Sequence, residues 1–342
     1  MVSLNWPLKA PAPQDMRWLR VEDASAVAAC RNAVLALAAR LRFPATRADQ
    51  VALAVTEAAS NLHKHADQGS LLLRVSRDAQ APEIELVTID AGPGLADVRA
   101  AVRDGHSTTG TLGIGLGAIR RLADFCDLYS IPGHGTALAA RFRPAAQPSA
   151  GPPQTRWAGL LRPITGETEC GDAYGAIQTG DTVTAVLCDG LGHGPLAAAA
   201  AAAGVAAVLD EPADGPAALL SRAHRRMSAT RGGALGVVQI SGQAVTFAGL
   251  GNVAASILGH GTRKSMITIP GIAGHQARAF REFEYQVPPG AVVVLHSDGI
   301  SSRWEAAALP GVEGKDPLLI AAVLLAEAGV HRDDAGVLVL KP

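Results

Sequence analysis

Aromatic side chains are scarce. They make up 4% of the 342 residues although 48% of the chain is hydrophobic, so the cores must be built mainly from Ala, Val, Leu and Ile. Charge is sparse as well: 18% of residues are charged and the net charge is −1. A balance so close to zero gives no global attraction to nucleic acid or to an anionic membrane, and neither is expected as a partner. Cysteine is limited to Cys30, Cys126, Cys170 and Cys188, none in CxxC spacing. That excludes a thiolate zinc site or a disulfide frame and fits small core residues in a reducing compartment. Long apolar runs are also missing. The longest near-continuous one, 196–209, is mostly alanine and shorter than the ~20 residues a membrane helix needs. The opening "MVSLNWPLKAPAPQ" has no basic region followed by an apolar stretch; no secretory signal is expected, and a cytoplasmic location is.

What is present divides in two. The length suggests two domains, and "PAAQPSAGPP" (144–153) has the composition of a linker. The expected division is therefore residues 1–143, a linker at 144–155, and residues 156–342. In the first part, apolar spacing predicts helices over 23–43, 47–67 and 117–130, with strands at 70–78, 83–90 and 135–144. The second part predicts helices at 195–209, 214–230 and 316–329, several strands between them, and a closing strand at 335–341. The fold class expected is α+β with two domains: an α/β sandwich first, then a β-sandwich flanked by helices.

Three signals in the first part carry chemistry. Glu57, Asn61 and His65 recur every four residues and so share a helix face. A solvated polar stripe would show the same spacing. "DAGPGLAD" (90–97) then follows a strand directly, with Asp90 at its end and Gly92 and Gly94 allowing close backbone approach. Finally "GTLGIGLGAIRRLAD" (110–124) sets glycines before a helix, where free N–H groups can cradle phosphates. It is neither a P-loop nor a Rossmann fingerprint.

"TEAASNLHKHA", "DAGPG", "TLGIGLGAIRRLAD" and "GHGT", in this order, resemble the ATP-binding boxes of the Bergerat-fold ATPase/kinase superfamily, and within it the anti-sigma-factor serine kinases and RsbT-type switch kinases. The resemblance covers about residues 15–143. It implies ATP with Mg²⁺ as cofactor, Glu57 as general base, Asn61 as the Mg²⁺ ligand and Asp90 as acceptor from the adenine amino group. It further implies Gly92 and Gly94 lining the base pocket, Gly113, Gly115 and Gly117 at the phosphates, and Thr136 supporting the adenine side. The lid, 95–112, offers only two arginines, Arg99 and Arg103, which leaves ATP turnover and mere ATP binding both open.

The second part holds four spaced acidic signals, "CGDAYGA", "LCDGLGHG", "LHSDGIS" and "HRDDAGVLVL". Asp189 and Asp298 each close an apolar run and precede a glycine, Asp333 and Asp334 precede the last strand, and Asp172 reads as a turn residue. Each alone is an ordinary turn aspartate. If the strands are neighbours the carboxylates converge, and converged carboxylates repel unless cations intervene. Oxygen donors select Mg²⁺ or Mn²⁺ over zinc.

This ordered set resembles the metal-dependent serine/threonine protein phosphatases of the SpoIIE and RsbX type over about residues 156–341. It implies Asp189 bridging two Mn²⁺ or Mg²⁺ ions, the Gly190 carbonyl completing the first site, and Asp298 and Asp333 holding the second. Asp172 is implied as a catalytic group or outer ligand, with Asp334 as an extra. Together the two resemblances imply a partner-switching regulator. It would hydrolyse phosphoserine or phosphothreonine on a small STAS-type anti-sigma antagonist with a water activated by two metals, and its ATP-binding domain would phosphorylate the same or a related partner. A sigma factor or other switch protein is the further partner implied. The alternative is that the first domain is a non-catalytic, ATP-dependent binding or sensor module regulating the phosphatase. His193 is left undecided between a proton donor and a plain loop residue, His296 is expected in the core or just behind the acids, and Arg162, near Asp172, is expected on the surface, with contact to the substrate phosphate as its alternative.

Overall fold

The computed structural model describes residues 16–76, 82–98, 115–145 and 156–342. Gly113, lid residues 99–112 and linker residues 146–155 lie outside them. The chain separates into two compact units, one holding the described residues up to 145 and the other those from 156 onward.

In the first unit Asp23 caps a helix by accepting a hydrogen bond from Ala26 N at 2.9 Å, which satisfies one of the orphan donors of the first turn. This helix, α1, spans Ala24–Arg40, and α2 follows over Ala45–His65, with Lys64 in its last turn complementing the helix C-terminus. The strands β1 (Met16–Arg20), β2 (Ser70–Ser76), β3 (Glu83–Asp90), β4 (Phe125–Ile131) and β5 (Gly135–Phe142) form one antiparallel sheet in the order β1-β2-β3-β5-β4. Alternate residues Leu71, Leu73, Ile84, Leu86, Leu138 and Phe142 pack against Val34, Val51, Val55 and Leu62 of the two long helices.

The helix predicted over 117–130 is two elements. A short helix, α3, covers Gly115–Leu122, and 125–131 is strand β4. The apolar spacing of "AIRRLADFC" continues past the break, so periodicity alone misses it. Asp124 makes the break: its carboxylate pairs with the buried Arg47 at 2.5 Å and accepts from Arg143 N at 2.7 Å. That anchors the chain to the end of β5, and residues 125–131 then pair with β5 along their whole length.

The other face of this sheet buries charge. Glu85, 3% exposed, accepts from Arg74 Nε at 2.6 Å and Arg141 Nε at 2.9 Å, while Arg143 Nε reaches Glu83 at 3.1 Å. Burial opposes ionisation of Glu85, but the two guanidinium groups outweigh it and hold its carboxyl below the usual range.

In the second unit, one sheet takes the order β13-β10-β9-β8-β7 and a second takes β12-β11-β14-β15-β6. The first sheet comprises β7 (Asp172–Thr179), β8 (Thr182–Gly190), β9 (Gly233–Ser241), β10 (Ala244–Leu250) and β13 (Phe283–Gln286). The second comprises β6 (Trp157–Arg162), β11 (Ala254–Gly259), β12 (Thr262–Ser265), β14 (Val292–His296) and β15 (Ala335–Leu340). Leu187, Val238, Phe247, Val293, Leu295 and Leu338 fill the space between them. Helices α4 (Pro195–Leu209) and α5 (Pro216–Arg226) cover the outer face of the first sheet, and α6 (Pro317–Ala328) packs on β6 and β15 of the second. The alanine run of α4 lets it approach closely. A Cβ on Gly190 would lie 2.1 Å from the Ala197 carbonyl oxygen, so only glycine fits beneath that helix.

Replacing Glu85 with Ala removes the carboxylate that two buried guanidinium groups share. Glu85→Ala is expected to cost about 3–5 kcal/mol of stability, read by urea unfolding followed by circular dichroism. A loss below about 1 kcal/mol, the scale of exposed ion pairs, would show that the network is effectively solvated.

Candidate functional site

In the second unit the strand ends bring the acids together. Asp172 is not in a turn: it opens β7 and pairs in register with Asp189 near the end of β8. Asp298 and Asp333 flank the ends of β14 and β15, which are themselves paired. The five acids are graded by depth. Asp172 and Asp334 are each 3% exposed, Asp189 is half-buried, and Asp298 and Asp333 are open to solvent.

Ser297 organises the floor. Its hydroxyl donates to Asp172 Oδ2 at 2.6 Å and accepts from Gly336 N at 2.8 Å, while its own N–H donates to the Gly336 carbonyl at 3.0 Å. Asp334 Oδ1 accepts from Ile164 N at 2.8 Å, and Asn252 Nδ2 donates to Asp298 Oδ2 at 2.5 Å. Asp172 Oδ1 and Asp334 Oδ2 are buried and, among the described residues, without a hydrogen-bond partner.

These carboxylates perturb one another. Burial, followed by the charges of Asp298 and Asp333, pushes the Asp189 carboxyl up to about 7. Burial and then the Asp189 charge raise Asp172 well above the carboxylate range, against the opposing hydrogen bond from Ser297. Burial and Asp298 raise Asp333.

Among the described residues no three Asp, Glu, His or Cys side chains gather into a ready-made metal cage. The donor set nonetheless fits Mg²⁺ or Mn²⁺, because such ions keep several waters and take one or two carboxylates at a time. The donors are oxygens, a cation would relieve their mutual repulsion, and two buried carboxylate oxygens lack any partner. No thiolate competes, since burial pushes the thiols of Cys170 and Cys188 well up.

Around the acids stand groups of other kinds. His193 Nδ1 lies 2.9 Å from Glu167 Oε1 on an exposed edge. His296 is buried, with Nδ1 at 2.9 Å from the Ser297 carbonyl, and burial lowers its pKa. Arg162 is half-buried rather than a free surface group, and its Nη2 donates to the Val330 carbonyl at 3.2 Å. The sequence reading missed Ser297, Asn252 and Glu167. Ser297 was visible inside "HSDG", but only the register with Gly336 gives it a task.

In the first unit Glu57 and Asn61 are half-buried one turn apart on α2. A Cβ on Gly115 would sit 3.2 Å from the Asn61 amide, so the start of α3 lies against Asn61. Helix α3 begins at Gly115, two residues earlier than predicted, and contains both Gly115 and Gly117. Asp90 pairs in register with Thr136, and its Oδ1 accepts from Gly92 N at 2.8 Å. Burial raises the Asp90 carboxyl, against the N–H groups of Gly92 and Thr136. Gly94 has φ +69° and packs on the Ile131 carbonyl. The Thr136 and Ser130 hydroxyls are 3.0 Å apart, and Ser130 Oγ also accepts from Leu95 N at 2.8 Å, a link the sequence did not signal. Asp90, Gly92, Gly94 and Thr136 thus form one cluster, and Asn61 and Gly115 another. The α2 end joins the first through the Asp67 carbonyl, which accepts from Ala91 N at 3.0 Å.

A helix-backed sheet with glycines around a half-buried acid, joined to a two-sheet unit with acids at its strand ends, defines a chain with a kinase-like ATPase module and a phosphatase-type module. Residues 21–142 match the family model of the histidine kinase-like ATPase domain, and residues 179–341 match that of stage II sporulation protein E (SpoIIE). Over 126 residues the chain is 30% identical to the serine/threonine-protein kinase RsbT of Bacillus subtilis (strain 168), covering 37% of this chain and 95% of that one. The chain belongs to the RsbT-like histidine kinase-type ATPases through its first unit, fused to a SpoIIE domain. Among solved structures it is similar to RsbX in complex with magnesium, with a TM-score of 0.48, 19% identity, and coverage of 54% of this chain and 92% of that one. It is also similar to the Mycobacterium tuberculosis serine/threonine phosphatase PstP, with a TM-score of 0.43, 15% identity, and coverage of 55% and 99%. No helix among the described residues is long and apolar enough to cross a membrane.

A carboxyl whose folded pKa is raised binds its proton more tightly in the native state. Its stabilising contribution is complete below the unfolded pKa of about 3.9 and is lost as pH rises through the folded value. With Asp189 raised to about 7, protein held in EDTA is expected to lose thermal stability between roughly pH 4 and pH 7. Asp189→Asn should flatten that fall, and Mn²⁺ should reverse it. A melting temperature independent of pH over this window, in wild type and variant alike, would contradict the coupling.

Proposed function

We propose that this chain is a partner-switching regulator whose second unit removes phosphate from phosphoserine or phosphothreonine on a small STAS-type protein. One observation carries the reading: acids from four separate stretches meet at the strand ends, Asp189 is pushed up to about 7, and buried oxygens of Asp172 and Asp334 stay unpartnered. Two bound Mg²⁺ or Mn²⁺ ions would supply Lewis-acid charge and a water of lowered pKa. Asp189, Asp298, Asp333 and the Gly190 carbonyl would hold them. Asp172, fixed by Ser297, would orient the water and hold its proton, with Asp334 behind it. A carboxyl raised well above its usual range by burial and the Asp189 charge is suited to proton traffic. No cysteine nucleophile takes part.

The first unit would bind ATP with Mg²⁺ in this reading. Asp90 would accept from the adenine amino group, Gly92, Gly94 and Thr136 would line the base, and Gly113, Gly115 and Gly117 would lie at the phosphates. Asn61 would hold Mg²⁺ through its amide oxygen, and Glu57 would serve as base toward a serine hydroxyl. The identity to RsbT, itself described as a serine/threonine-protein kinase, supports this assignment. Opposed activities on one substrate would only consume ATP, so the two units serve different partners or different signals.

Purified protein with Mn²⁺ and a phosphorylated STAS-domain protein tests the phosphatase. Wild type is expected to release phosphate and Asp189→Asn to lose at least about a hundredfold in rate; equal rates would sink the reading. For the first unit, Glu57→Ala is expected to abolish transfer from radiolabelled ATP while calorimetry shows ATP binding retained. Undiminished transfer in this variant would remove Glu57 from the role of base, and no transfer even by wild type would favour the binding-module alternative.

A further inference from the structure

The phosphatase reading supplies cations for the reaction but leaves the substrate's phosphate without an anion-binding side chain. Arg162 is committed to the Val330 carbonyl and packs on Gly329. His193 is engaged with Glu167. Arg231 is placed differently. It is exposed, and among the described residues its guanidinium has neither a hydrogen bond nor an ion pair. A Cβ on Gly192 would lie 3.0 Å from Arg231 Nη1, so the guanidinium rests over the middle of "DGLGHG".

The backbone beneath Arg231 is pinned on both sides. Thr230 N donates to the Met227 carbonyl at 2.9 Å, and Gly232 N donates to Thr230 Oγ at 3.0 Å. Leu191 N donates to the Gly232 carbonyl at 2.9 Å, which ties this loop to the turn after Asp189. Gly190 and Gly233 are then paired in register between β8 and β9. The loop also holds no spare room: a Cβ on Gly233 would lie 2.2 Å from the Asp189 carbonyl oxygen. The result is a long cationic side chain on a fixed base, over the turn that follows Asp189, with its charge unspent. The Gly192 carbonyl continues the path inward, since a Cβ on Gly171 would meet it at 3.2 Å and Asp334 Oδ2 at 2.7 Å.

The geometry points to Arg231 as the residue that binds the phosphate of the phosphoserine or phosphothreonine substrate, from the loop between α5 and β9. A planar guanidinium presents two parallel donors that match two phosphate oxygens, which an ammonium does not. Among the described residues no carboxylate pairs with it, so its charge is not neutralised before substrate arrives. Arg332, next to Asp333 in sequence and also exposed, is the natural control for loss of one positive charge.

This assignment rests on the phosphatase reading, and the experiment separates the two. Hydrolysis of p-nitrophenyl phosphate with Mn²⁺ by wild type and Asp189→Asn first reports on the site itself. Arg231→Ala is then expected to raise KM for a phosphoserine peptide roughly tenfold or more, with a smaller fall in kcat, and Arg231→Lys should recover only part of the loss. Inorganic phosphate, followed by calorimetry in Mn²⁺, should bind Arg231→Ala more weakly by a similar factor, a readout that needs no turnover. Arg332→Ala should behave as wild type. Unchanged KM and phosphate binding in Arg231→Ala, or an equal loss in Arg332→Ala, overturns the assignment even where the phosphatase is active. Should wild type prove inactive, the phosphatase reading fails, and the calorimetric difference alone decides whether Arg231 binds phosphate. If Arg231→Ala melts before assay, the Lys variant carries the comparison, and wild-type KM and phosphate affinity there would count against the bidentate contact.

Discussion

Asp172 and Asp189 stand opposite each other on adjoining strands, and two carboxylates so placed repel unless a proton or a cation separates them. Much of the second unit answers that constraint. Ser297 donates to one oxygen of Asp172, Asn252 to one of Asp298, and Ile164 N to one of Asp334. None of these donors is charged, so the excess negative charge stays in place. The strand ends are stable as a group only with protons held above their usual range or with a counter-ion bound. Four glycines around the acids, at 171, 190, 233 and 336, admit backbone or carboxylate oxygens so closely that a Cβ would clash. Crowded oxygen and absent side chain are two sides of one design.

The first unit handles buried charge in the opposite way. Glu85 receives two guanidinium groups, and its carboxyl is held low despite full burial. Arg47 and Asp124 form a second, nearly buried pair that also sets the boundary between α3 and β4. Compensated charge there supports the sheet, whereas uncompensated charge at Asp189 and Asp172 marks the place where chemistry is proposed. Asp90 lies between these extremes. It is half-buried and raised, yet it accepts from the backbone of Gly92 and Thr136, as suits an acceptor whose partner is neutral.

Much of the architecture was readable beforehand. Helical spacing located α1 and α2, the continuous alanine- and leucine-rich runs located α4 and α6, each to within a few residues, and apolar runs ending in Asp-Gly located β8 and β14. The failures have physical causes. Residues 125–131 carry an apolar spacing that suits a helix, and it is the Arg47–Asp124 pair and the pairing with β5 that make them a strand. Asp172 looked like a turn residue because glycine precedes it, but its partners Asp189 and Ser297 lie 17 and 125 positions further on. Arg231 carried no signal at all, being an ordinary arginine before two glycines.

The sequence by itself determined the chemical inventory: oxygen donors rather than thiolates, glycines beside the acids, and two ordered sets of motifs on either side of a Pro- and Ala-rich stretch. These depend only on residue type and spacing. The tertiary structure decided which acids are neighbours, which of their oxygens are satisfied, and which basic group is left without a partner. Repulsion, desolvation and hydrogen bonding act through distance and burial, and both arise only when strands far apart in the chain are laid side by side.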